Sequence, residues 1–268
     1  MSGFTVAICG LGAIGLEVAR ILDSGVNGLR LVMAATRDQD AARKKVATLR
    51  QPPEIVPIAR LGAADIVVEA APASVFGEIA EVAVGAGRIF VPASVGALLG
   101  RMDLVERARQ TGARILPPTG ALLGLDAVRA AAEGEVHEVL LESRKPPLGY
   151  SGAPWVVSQQ IDLAGITVPT CIFDGNASGA AAGFPANANI AAALALAGIG
   201  PERTRVKLWA DPTVQRNVHT VTVEAAAARF TMTIEGLPLP ANPRSSRITP
   251  LSIIASLRGL TATLKSGS

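Results

Sequence analysis

The sequence predicts an α/β protein in which a Rossmann-type, doubly wound parallel sheet precedes a second α+β domain with a mixed, partly open sheet. Two observations lead to this fold class. Short apolar segments alternate with helical segments over roughly the first 115 residues, which is the pattern of repeated β-α-β units. Beyond Pro117-Pro118, several segments alternate polar and apolar residues instead, which is typical of strands with one exposed face.

The first domain is predicted to span residues 1–118. It opens with residues 4–9, an apolar segment rich in β-forming residues that favours a buried parallel strand. Further strands are predicted at residues 31–35, 64–70, 88–91 and 113–116, and helices at residues 16–22, 38–49, 73–86 and 102–111. A helix between successive strands lets each strand run parallel to the one before it.

The second domain is predicted to span residues 119–240, and residues 241–268 follow it as a C-terminal helix that returns to the first domain. Helices are predicted at residues 124–132 and 187–197, and strands at 136–143, 171–175, 204–210, 217–225 and 229–235. The last three strands are expected to be antiparallel, in a sheet whose open face is covered by helices or by a second copy of the chain. A linker at residues 238–243 precedes the final helix, at residues 250–260.

Composition argues against several classes of protein. Hydrophobic residues make up 49% of the 268 and charged residues 18%, so the chain can bury a core and does not resemble a disordered segment. The most apolar segment, residues 190–200, is too short to span a membrane, which takes about 20 apolar residues. A net charge of +3 and 3% aromatic residues argue against a nucleic-acid partner.

Metal binding and secretion are not expected either. The chain has two cysteines and two histidines and no Cys-x-x-Cys pair, so the sequence offers no ligand cluster for zinc. Residues 1–5 do not have the basic segment that leads into the apolar stretch of a secretory signal peptide. We therefore expect a cytoplasmic protein without a metal site.

A glycine motif follows the first strand. The segment Gly10-Leu11-Gly12-Ala13-Ile14-Gly15 lies between a predicted strand and a predicted helix, which is the context of a dinucleotide-binding turn. There Gly10 permits the tight turn, Gly12 lets the pyrophosphate approach the backbone, and Gly15 lets the helix pack closely on the strand. The helix directs its free N–H groups and the positive end of its dipole toward the phosphates. The predicted cofactor contacts are Gly10, Gly12, Ala13, Ile14 and Gly15.

The choice between NAD and NADP depends on the end of the second strand. NAD-selective sites usually have an acid there to bind the ribose hydroxyls, but Ala35-Thr36-Arg37-Asp38 has none at the expected place. Arg37 could meet the 2′-phosphate of NADP, and Asp38, one or two positions later, could still bind the ribose of NAD. We expect the chain to accept both cofactors.

The two histidines are candidates for proton transfer, because an imidazole titrates near neutral pH. His137 lies between Glu135 and Glu138 in a charged segment, which is typical of a surface position. His219 follows a polar connection and enters an alternating strand. From the pattern alone a structural role stays open for His219, since that is the commoner role of a lone histidine.

Further segments carry a family resemblance. They are Ser94-Val95-Gly96-Ala97, Thr119-Gly120-Ala121, Gly124-Leu125-Asp126-Ala127, Ser143-Arg144-Lys145-Pro146-Pro147, Phe184-Pro185-Ala186-Asn187-Ala188-Asn189, Leu196-Ala197-Gly198-Ile199-Gly200, Trp209-Ala210-Asp211-Pro212, Asn217-Val218-His219 and Asn242-Pro243-Arg244-Ser245-Ser246-Arg247-Ile248-Thr249. With the glycine motif they span nearly the whole chain, which resembles the L-aspartate dehydrogenase family.

The resemblance implies NAD(P)-dependent oxidative deamination of L-aspartate to iminoaspartate, or the reverse amination of oxaloacetate. It also implies a link to NAD biosynthesis and a homodimer. Carried over residue by residue, it makes His219 the catalytic acid or base and places Ala121 and Asn189 beside the nicotinamide.

A substrate with two carboxylates requires cationic or N–H donors in its pocket. Lys145 and Arg244 are predicted to bind the substrate, with Asn187 and Ser94 as neutral donors. Arg144 and Arg247 are additional candidates, and the sequence does not rank the cations. The expected partner is thus a small dicarboxylate or amino acid.

Other functions stay open on this sequence. A related NAD(P)-dependent imine or keto-acid reductase would share the layout, as relatives of homoserine dehydrogenase and dihydrodipicolinate reductase do. A dinucleotide-binding protein without catalysis would share it too, because a fold does not fix a function. A thioester-forming aldehyde dehydrogenase would need a reactive cysteine, but Cys171 lies in an apolar segment that predicts a buried, unreactive thiol.

Overall fold

The computed structural model describes residues 3–240 and 242–267, and for residues 242–244 it describes the backbone only. Contacts divide the chain into two units. The first unit ends at Pro118 and takes in the chain again from Thr249, and the second unit runs from Thr119 to Ile248. Within the described residues, no helix has the length and apolar character needed to cross a membrane.

Six parallel strands form the sheet of the first unit. They are β1 (Phe4–Cys9), β2 (Leu29–Ala35), β3 (Glu54–Ile55), β4 (Ile66–Glu69), β5 (Ile89–Pro92) and β6 (Arg114–Ile115). Their order across the sheet is β3-β2-β1-β4-β5-β6, and every neighbouring pair is parallel. The chain builds outward from β1 to β3 and then returns to the other side of β1, so the sheet is doubly wound with its switch point between β1 and β4.

Helices connect these strands. They are α1 (Ala13–Asp23), α2 (Gln39–Val46), α3 (Phe76–Gly85), α4 (Val95–Leu99) and α5 (Asp103–Thr111). Central strands are covered on both faces, so they consist of nearly continuous apolar residues, such as the fully buried Val6, Ile8, Ile66 and Val68. The predicted Rossmann-type fold class is confirmed.

A mixed sheet of five strands forms the second unit. The strands are β7 (Val136–Lys145), β8 (Thr170–Asn176), β9 (Thr204–Ala210), β10 (Asn217–Ala225) and β11 (Arg229–Gly236), and a short pair follows, β12 (Pro238–Leu239) and β13 (Asn242–Ser246). The helices are α6 (Leu125–Ala132), α7 (Pro154–Ser158), α8 (Ala177–Gly183) and α9 (Asn189–Ala197). The order across the five-stranded sheet is β11-β10-β7-β9-β8. The predicted mixed sheet is confirmed.

One face of this mixed sheet is buried, and along β7 its side chains change from apolar to polar. Val139, Leu141, Ser143 and Lys145 alternate with more exposed residues and therefore lie on the same buried face. The two apolar residues join the core of the unit, whereas the two polar residues lie toward the end of the strand. The buried face thus passes from an apolar core to a polar site.

One local prediction holds in part and another is wrong. Strand β9 was expected to be antiparallel; it is antiparallel to β8, but it runs parallel to its other neighbour, β7. Residues 146–203 return the chain to the same end of the sheet through α7, β8, α8 and α9, which is the long crossover that a parallel pair requires. Residues 238–243 were predicted as a linker, but residues 238–239 and 242–243 form part of the antiparallel pair β12 and β13. These strands are too short to give a recognisable alternation.

The last helix, α10 (Ile248–Gly259), contributes to the core of the first unit. Its side chains Ile253, Ile254 and Leu257 pack in the same apolar cluster as strands β1 and β4. Beyond the helix, the Thr261 hydroxyl donates to the carbonyl oxygen of Asn27 at 3.0 Å. These contacts explain why the end of the chain belongs to the first unit.

Candidate active site

The glycine turn after β1 has the geometry that a dinucleotide requires. Gly10 has φ +94°, a left-handed conformation, and a Cβ there would lie 2.4 Å from the carbonyl oxygen of Ala70. A Cβ on Gly15 would lie 1.9 Å from the carbonyl oxygen of Gly10, so this position has no room for a side chain. A Cβ on Gly12 would meet nothing within 4 Å. The open space at Gly12 is where a phosphate could approach the backbone.

The start of α1 is suited to an anion. Gly12 is its N-cap, no side chain caps the helix, and its first turn has no acidic residue. The early N–H groups and the positive end of the helix dipole therefore meet no acceptor from a capping side chain. Ala13 and Ile14 are half-buried in this first turn. A pyrophosphate fits this turn by both shape and charge.

The end of β2 carries two exposed charged residues, Arg37 and Asp38. The carboxylate of Asp38 accepts from the Ala41 amide at 2.9 Å and so caps α2. The hydroxyl of Thr36 donates to the carbonyl oxygen of Asp38 at 2.8 Å. Asp38 thus has a structural contact as the N-cap of α2, whereas no contact is described for the guanidinium of Arg37.

A buried polar cluster in the second unit contains the candidate histidine. His219, on β10, lies opposite Ser143 of β7, and its Nδ1 is 2.9 Å from the Ser143 hydroxyl oxygen. The residue is only 2% exposed. Burial, and secondarily the charge of Lys145, lower the pKa of His219 to about 3. The imidazole is therefore neutral near pH 7, as a proton acceptor must be.

Lys145, two residues beyond Ser143, is the third polar member of this cluster. Its Nζ donates to Oδ1 of Asn187 at 2.8 Å and lies 5.9 Å from the centre of the Tyr150 ring. The residue is 6% exposed, and burial lowers the pKa of its ammonium to about 8. No carboxylate among the described residues pairs with it. A buried cation without an anion is costly, and a ligand with a carboxylate would relieve that cost.

The other predicted cations are placed differently. Arg144 points to the opposite face of the sheet, where it lies 3.5 Å from Asp211 and stacks 4.5 Å from the centre of the Trp209 ring. Arg247 is exposed, and its Nε donates to the carbonyl oxygen of Pro238 at 3.3 Å. The side chain of Arg244 lies outside the described residues. Of the three cations whose side chains the structure describes, Lys145 is the one whose charge acts on His219.

The remaining predicted residues lie in both units. Ala121, in the loop before α6, is half-buried against the core of the second unit. Asn189 is the first residue of α9, and Asn187 precedes that helix in a turn. Ser94, in the first unit, occupies the N-cap position of α4 without a capping hydrogen bond from its side chain, and its hydroxyl instead donates to the carboxylate of Glu69 at 3.0 Å. The assignment of a substrate carboxylate to Ser94 stays a prediction, and its hydroxyl hydrogen has an acceptor within the protein.

Sequence reasoning missed one residue and misplaced another. The residue that was missed is Glu69, which accepts from Ser94 and is fully buried. It could have been noticed as an acidic residue at the end of an otherwise apolar strand. Cys171 was expected to be buried but is exposed, because it lies on the outward face of the edge strand β8 at a register shift. Partial desolvation, together with the negative charges of Asp174 and Glu142, nevertheless raises the pKa of the Cys171 thiol, which does not favour a reactive thiolate.

Two family models match successive parts of the chain. Residues 10–118 match the family model "Homoserine dehydrogenase, NAD binding domain", and residues 126–260 match "Aspartate dehydrogenase, C-terminal". The chain is 52% identical to an L-aspartate dehydrogenase of Bradyrhizobium diazoefficiens over 100% of this chain and 95% of the relative. It is 47% identical to L-aspartate dehydrogenase 3 of Bordetella bronchiseptica over 98% and 97%.

Solved structures show the same fold. The crystal structure of an aspartate dehydrogenase from Thermotoga maritima superposes with a TM-score of 0.75 at 24% identity, covering 98% of this chain and 99% of that one. A homoserine dehydrogenase from Thiobacillus denitrificans superposes with a TM-score of 0.64 at 15% identity, covering 98% of this chain and 76% of that one. At these identities the likeness concerns the fold alone.

Proposed function

The chain belongs to the L-aspartate dehydrogenase family, and we propose that it catalyses the NAD(P)-dependent oxidative deamination of L-aspartate, or the reverse amination of oxaloacetate. Relatives of that name match it over its full length, and its glycine turn has room for a pyrophosphate at Gly12. One observation carries the substrate class: Lys145 is a buried ammonium without a carboxylate partner among the described residues. An acidic substrate would supply that partner.

Lys145 binds a carboxylate of the substrate in this proposal. Asn187 accepts one of the three ammonium hydrogens and so fixes the direction of the other two. Because the ammonium is already buried, its pairing with a carboxylate requires little further loss of hydration. Arg244 stays a second candidate for the other carboxylate.

His219 exchanges the proton with the substrate nitrogen. The α-amino group must lose a proton before the α-carbon can release a hydride, because an ammonium has no lone pair to form the imine. A neutral imidazole can accept that proton at Nε2 if the hydrogen on Nδ1 is donated to the Ser143 hydroxyl oxygen. A bound nicotinamide dinucleotide supplies the hydride acceptor. Once the hydride has left with the cofactor, what remains is iminoaspartate as its iminium (C=NH₂⁺) and a protonated His219. Water then converts the iminium to oxaloacetate and ammonium.

The substrate itself strengthens this base. The positive charge of Lys145 is one of the two causes that lower the pKa of His219. A carboxylate bound to Lys145 offsets that charge, so the pKa of His219 rises when the substrate is in place. His219 is thus a weak base in the empty site and a better base in the complex.

The remaining assignments rest on the sequence and the family. Gly10, Gly12, Ala13, Ile14 and Gly15 hold the pyrophosphate. Ala121 and Asn189 contact the nicotinamide, and the guanidinium of Arg37 donates hydrogen bonds to the 2′-phosphate of NADP. The homodimer, the cytoplasmic location and the role in NAD biosynthesis stay predictions.

The proposal is tested by the oxidation of NADH and of NADPH with oxaloacetate and ammonia. Pyruvate, 2-oxoglutarate and aspartate semialdehyde serve as competing substrates in the same assay. We expect oxaloacetate to have the highest kcat/KM, and L-aspartate to reduce the oxidised cofactor in the reverse assay. A preference for another carbonyl substrate would indicate a related reductase, and binding of NADH without any turnover would indicate a non-catalytic protein.

A further inference from the structure

Glu69 ends β4 with a fully buried carboxylate at the carboxyl edge of the parallel sheet. Its Oε1 accepts from the Ala71 amide at 2.9 Å and from the Ser94 hydroxyl at 3.0 Å, and its Oε2 accepts from the Ser94 amide at 2.9 Å. Ala71 lies in the loop after β4, and Ser94 lies in the loop after β5. One carboxylate therefore ties two neighbouring loops together.

The glycine turn after β1 packs directly against the loop after β4. A Cβ on Gly10 would lie 2.4 Å from the carbonyl oxygen of Ala70 and 2.7 Å from the amide nitrogen of Ala71. The Ala70 amide donates to the carbonyl oxygen of Cys9, the last residue of β1, at 2.8 Å. The loops that follow β1, β4 and β5 are thus in direct contact or hydrogen-bonded, with Glu69 as the shared anchor.

The contacts of Glu69 call for a carboxylate in particular. All three of its partners are donors, so both side-chain oxygens must accept. A glutamine has one acceptor oxygen and would turn its NH₂ group toward an N–H or O–H donor. Burial raises the pKa of Glu69, and the donors from Ser94 and Ala71 oppose that rise. The contacts that the described residues make to this carboxylate come from neutral donors. A buried carboxylate held in that way is costly, which favours a role beyond packing.

The position of Glu69 relates it to one half of a dinucleotide. In a doubly wound sheet, the dinucleotide lies across the switch point, with the adenosine ribose at the end of β2 and the pyrophosphate at the glycine turn. The other half then lies on the side of β4 and β5. We propose that Glu69 is a positioning residue for the nicotinamide half, because it fixes the loops after β4 and β5 against the glycine turn.

This inference rests on the dinucleotide binding in the proposed function and not on the identity of the substrate. Its test therefore uses binding without substrate. The dissociation constants of NADH and of ADP are measured for the parent and for Glu69→Gln, by nucleotide fluorescence and by calorimetry. ADP carries the adenosine half and a diphosphate, so it reports on β2 and the glycine turn alone. We expect Glu69→Gln to raise the Kd of NADH about 10-fold or more and to leave the Kd of ADP nearly unchanged.

Asp65→Asn is the matched control. Asp65 precedes the same strand at the opposite edge of the sheet, where its carboxylate accepts from the Thr5 amide at 2.8 Å and from the Thr5 hydroxyl at 2.6 Å. The control removes comparable hydrogen bonds far from the carboxyl edge. It is expected to lower the melting temperature without changing either Kd.

Ser94→Ala is the second variant, for the case that Glu69→Gln does not fold. It removes one donor and leaves the backbone in place, so we expect a Kd for NADH raised by a few-fold, about 2- to 5-fold, with ADP binding unchanged. An unchanged Kd for NADH in the folded variant, or equal losses of NADH and ADP binding, would overturn the proposal. If the parent binds NADH but reduces a different keto acid, the substrate assignment fails and this inference stands.

Discussion

The Nδ1 atom of His219 lies 2.9 Å from the Oγ atom of Ser143, and the two residues face each other across the antiparallel pair of β10 and β7. This contact orients the imidazole ring. A base at Nε2 requires the tautomer in which Nδ1–H donates to the serine, and the Ser143 hydroxyl oxygen is placed to accept that hydrogen. The carbonyl oxygen of Ser143 in turn accepts from the Tyr150 hydroxyl at 3.4 Å, which holds this part of β7 in the buried core.

Replacement of His219 tests its role in proton exchange. We expect His219→Ala to lower kcat by about 100- to 10,000-fold, the usual contribution of a general base, with the Kd of NADH little changed. His219→Asn keeps a polar group toward Ser143 but has no titratable nitrogen, so it should be equally impaired. His137→Ala is the control, because that imidazole is exposed. Full turnover in His219→Asn would show that the ring only forms hydrogen bonds.

The buried imidazole should also make stability depend on pH. The pKa of His219 is lowered from 6.5 to about 3 in the folded protein, so between these pH values the unfolded chain binds one more proton than the folded chain. Stability therefore decreases as pH falls from 6.5 toward 3, with His219 contributing a slope of about 1.4 kcal/mol per pH unit. Carboxylates titrate in the same range, so the measurement compares urea unfolding of the parent and of His219→Asn at pH 6 and pH 5. The variant should have the shallower slope, and identical slopes would contradict the burial of a neutral ring.

Lys145→Met is expected to stabilise the protein and abolish its activity. The pKa of Lys145 is lowered from 10.5 to about 8 by burial, so below pH 8 the ammonium is protonated in both states and its full desolvation cost is present. A methionine of similar length removes that cost, which corresponds to about 3 kcal/mol in the free energy of unfolding at pH 7. The measurement is urea unfolding, with kcat/KM for oxaloacetate alongside.

Lys44→Met controls for this substitution, because Lys44 is exposed on α2. Its effect on the free energy of unfolding should stay within about 0.5 kcal/mol. As pH rises from 8 to 10.5, the folded parent loses the Lys145 proton before the unfolded chain does, so its stability should rise toward that of Lys145→Met. A variant that is less stable than the parent at pH 7 would mean that the ammonium has a favourable partner.

Features of the fold and of the site could be predicted from the sequence where the residues that form them are close together along the chain. The glycine turn was predictable, because Gly10, Gly12 and Gly15 follow one strand directly and their spacing reflects the backbone geometry of a single turn. The cluster of Ser143, Lys145 and His219 was not, because Ser143 and His219 are 76 residues apart and their register is set by the sheet. The resemblance favoured a catalytic role for His219, but Lys145 was one of four cations that the sequence did not rank, and no pattern showed that the two share a buried face.

Buried charge was the other feature hidden from the sequence. Lys145 follows Arg144 directly, and both read as surface cations or ligands, but strand alternation puts them on opposite faces. Glu69 was passed over because its partners, Ala71 and Ser94, come from two separate loops. Strand direction was hidden for the same reason, since alternation in β9 does not reveal which neighbour it pairs with.

Substitutions at two glycines of the turn should affect folding and cofactor binding differently. Gly12→Val places its side chain in open space, so the variant should fold with a melting temperature near that of the parent and bind NADH at least about 10-fold more weakly. Gly15→Ala would put a Cβ 1.9 Å from the Gly10 carbonyl oxygen, so it should destabilise the protein before it affects binding. Thermal denaturation and NADH fluorescence distinguish the two. Normal NADH binding by Gly12→Val would show that the pyrophosphate does not bind at this turn.

Arg37 is expected to decide how well NADP competes with NAD. Its guanidinium is exposed at the end of β2, and Asp38 beside it caps α2 through the Ala41 amide. A charge-assisted bond to a 2′-phosphate contributes about 1.5–3 kcal/mol, so Arg37→Ala should weaken NADPH binding about 10-fold or more and leave NADH binding nearly unchanged. Arg43→Ala, which removes an exposed arginine that pairs with Asp40 on α2, controls for the loss of one positive charge from this surface. Equal effects of Arg37→Ala on the Kd of both cofactors would show that the guanidinium does not bind the 2′-phosphate. Any preference for one cofactor would then arise from other residues of the turn after β2.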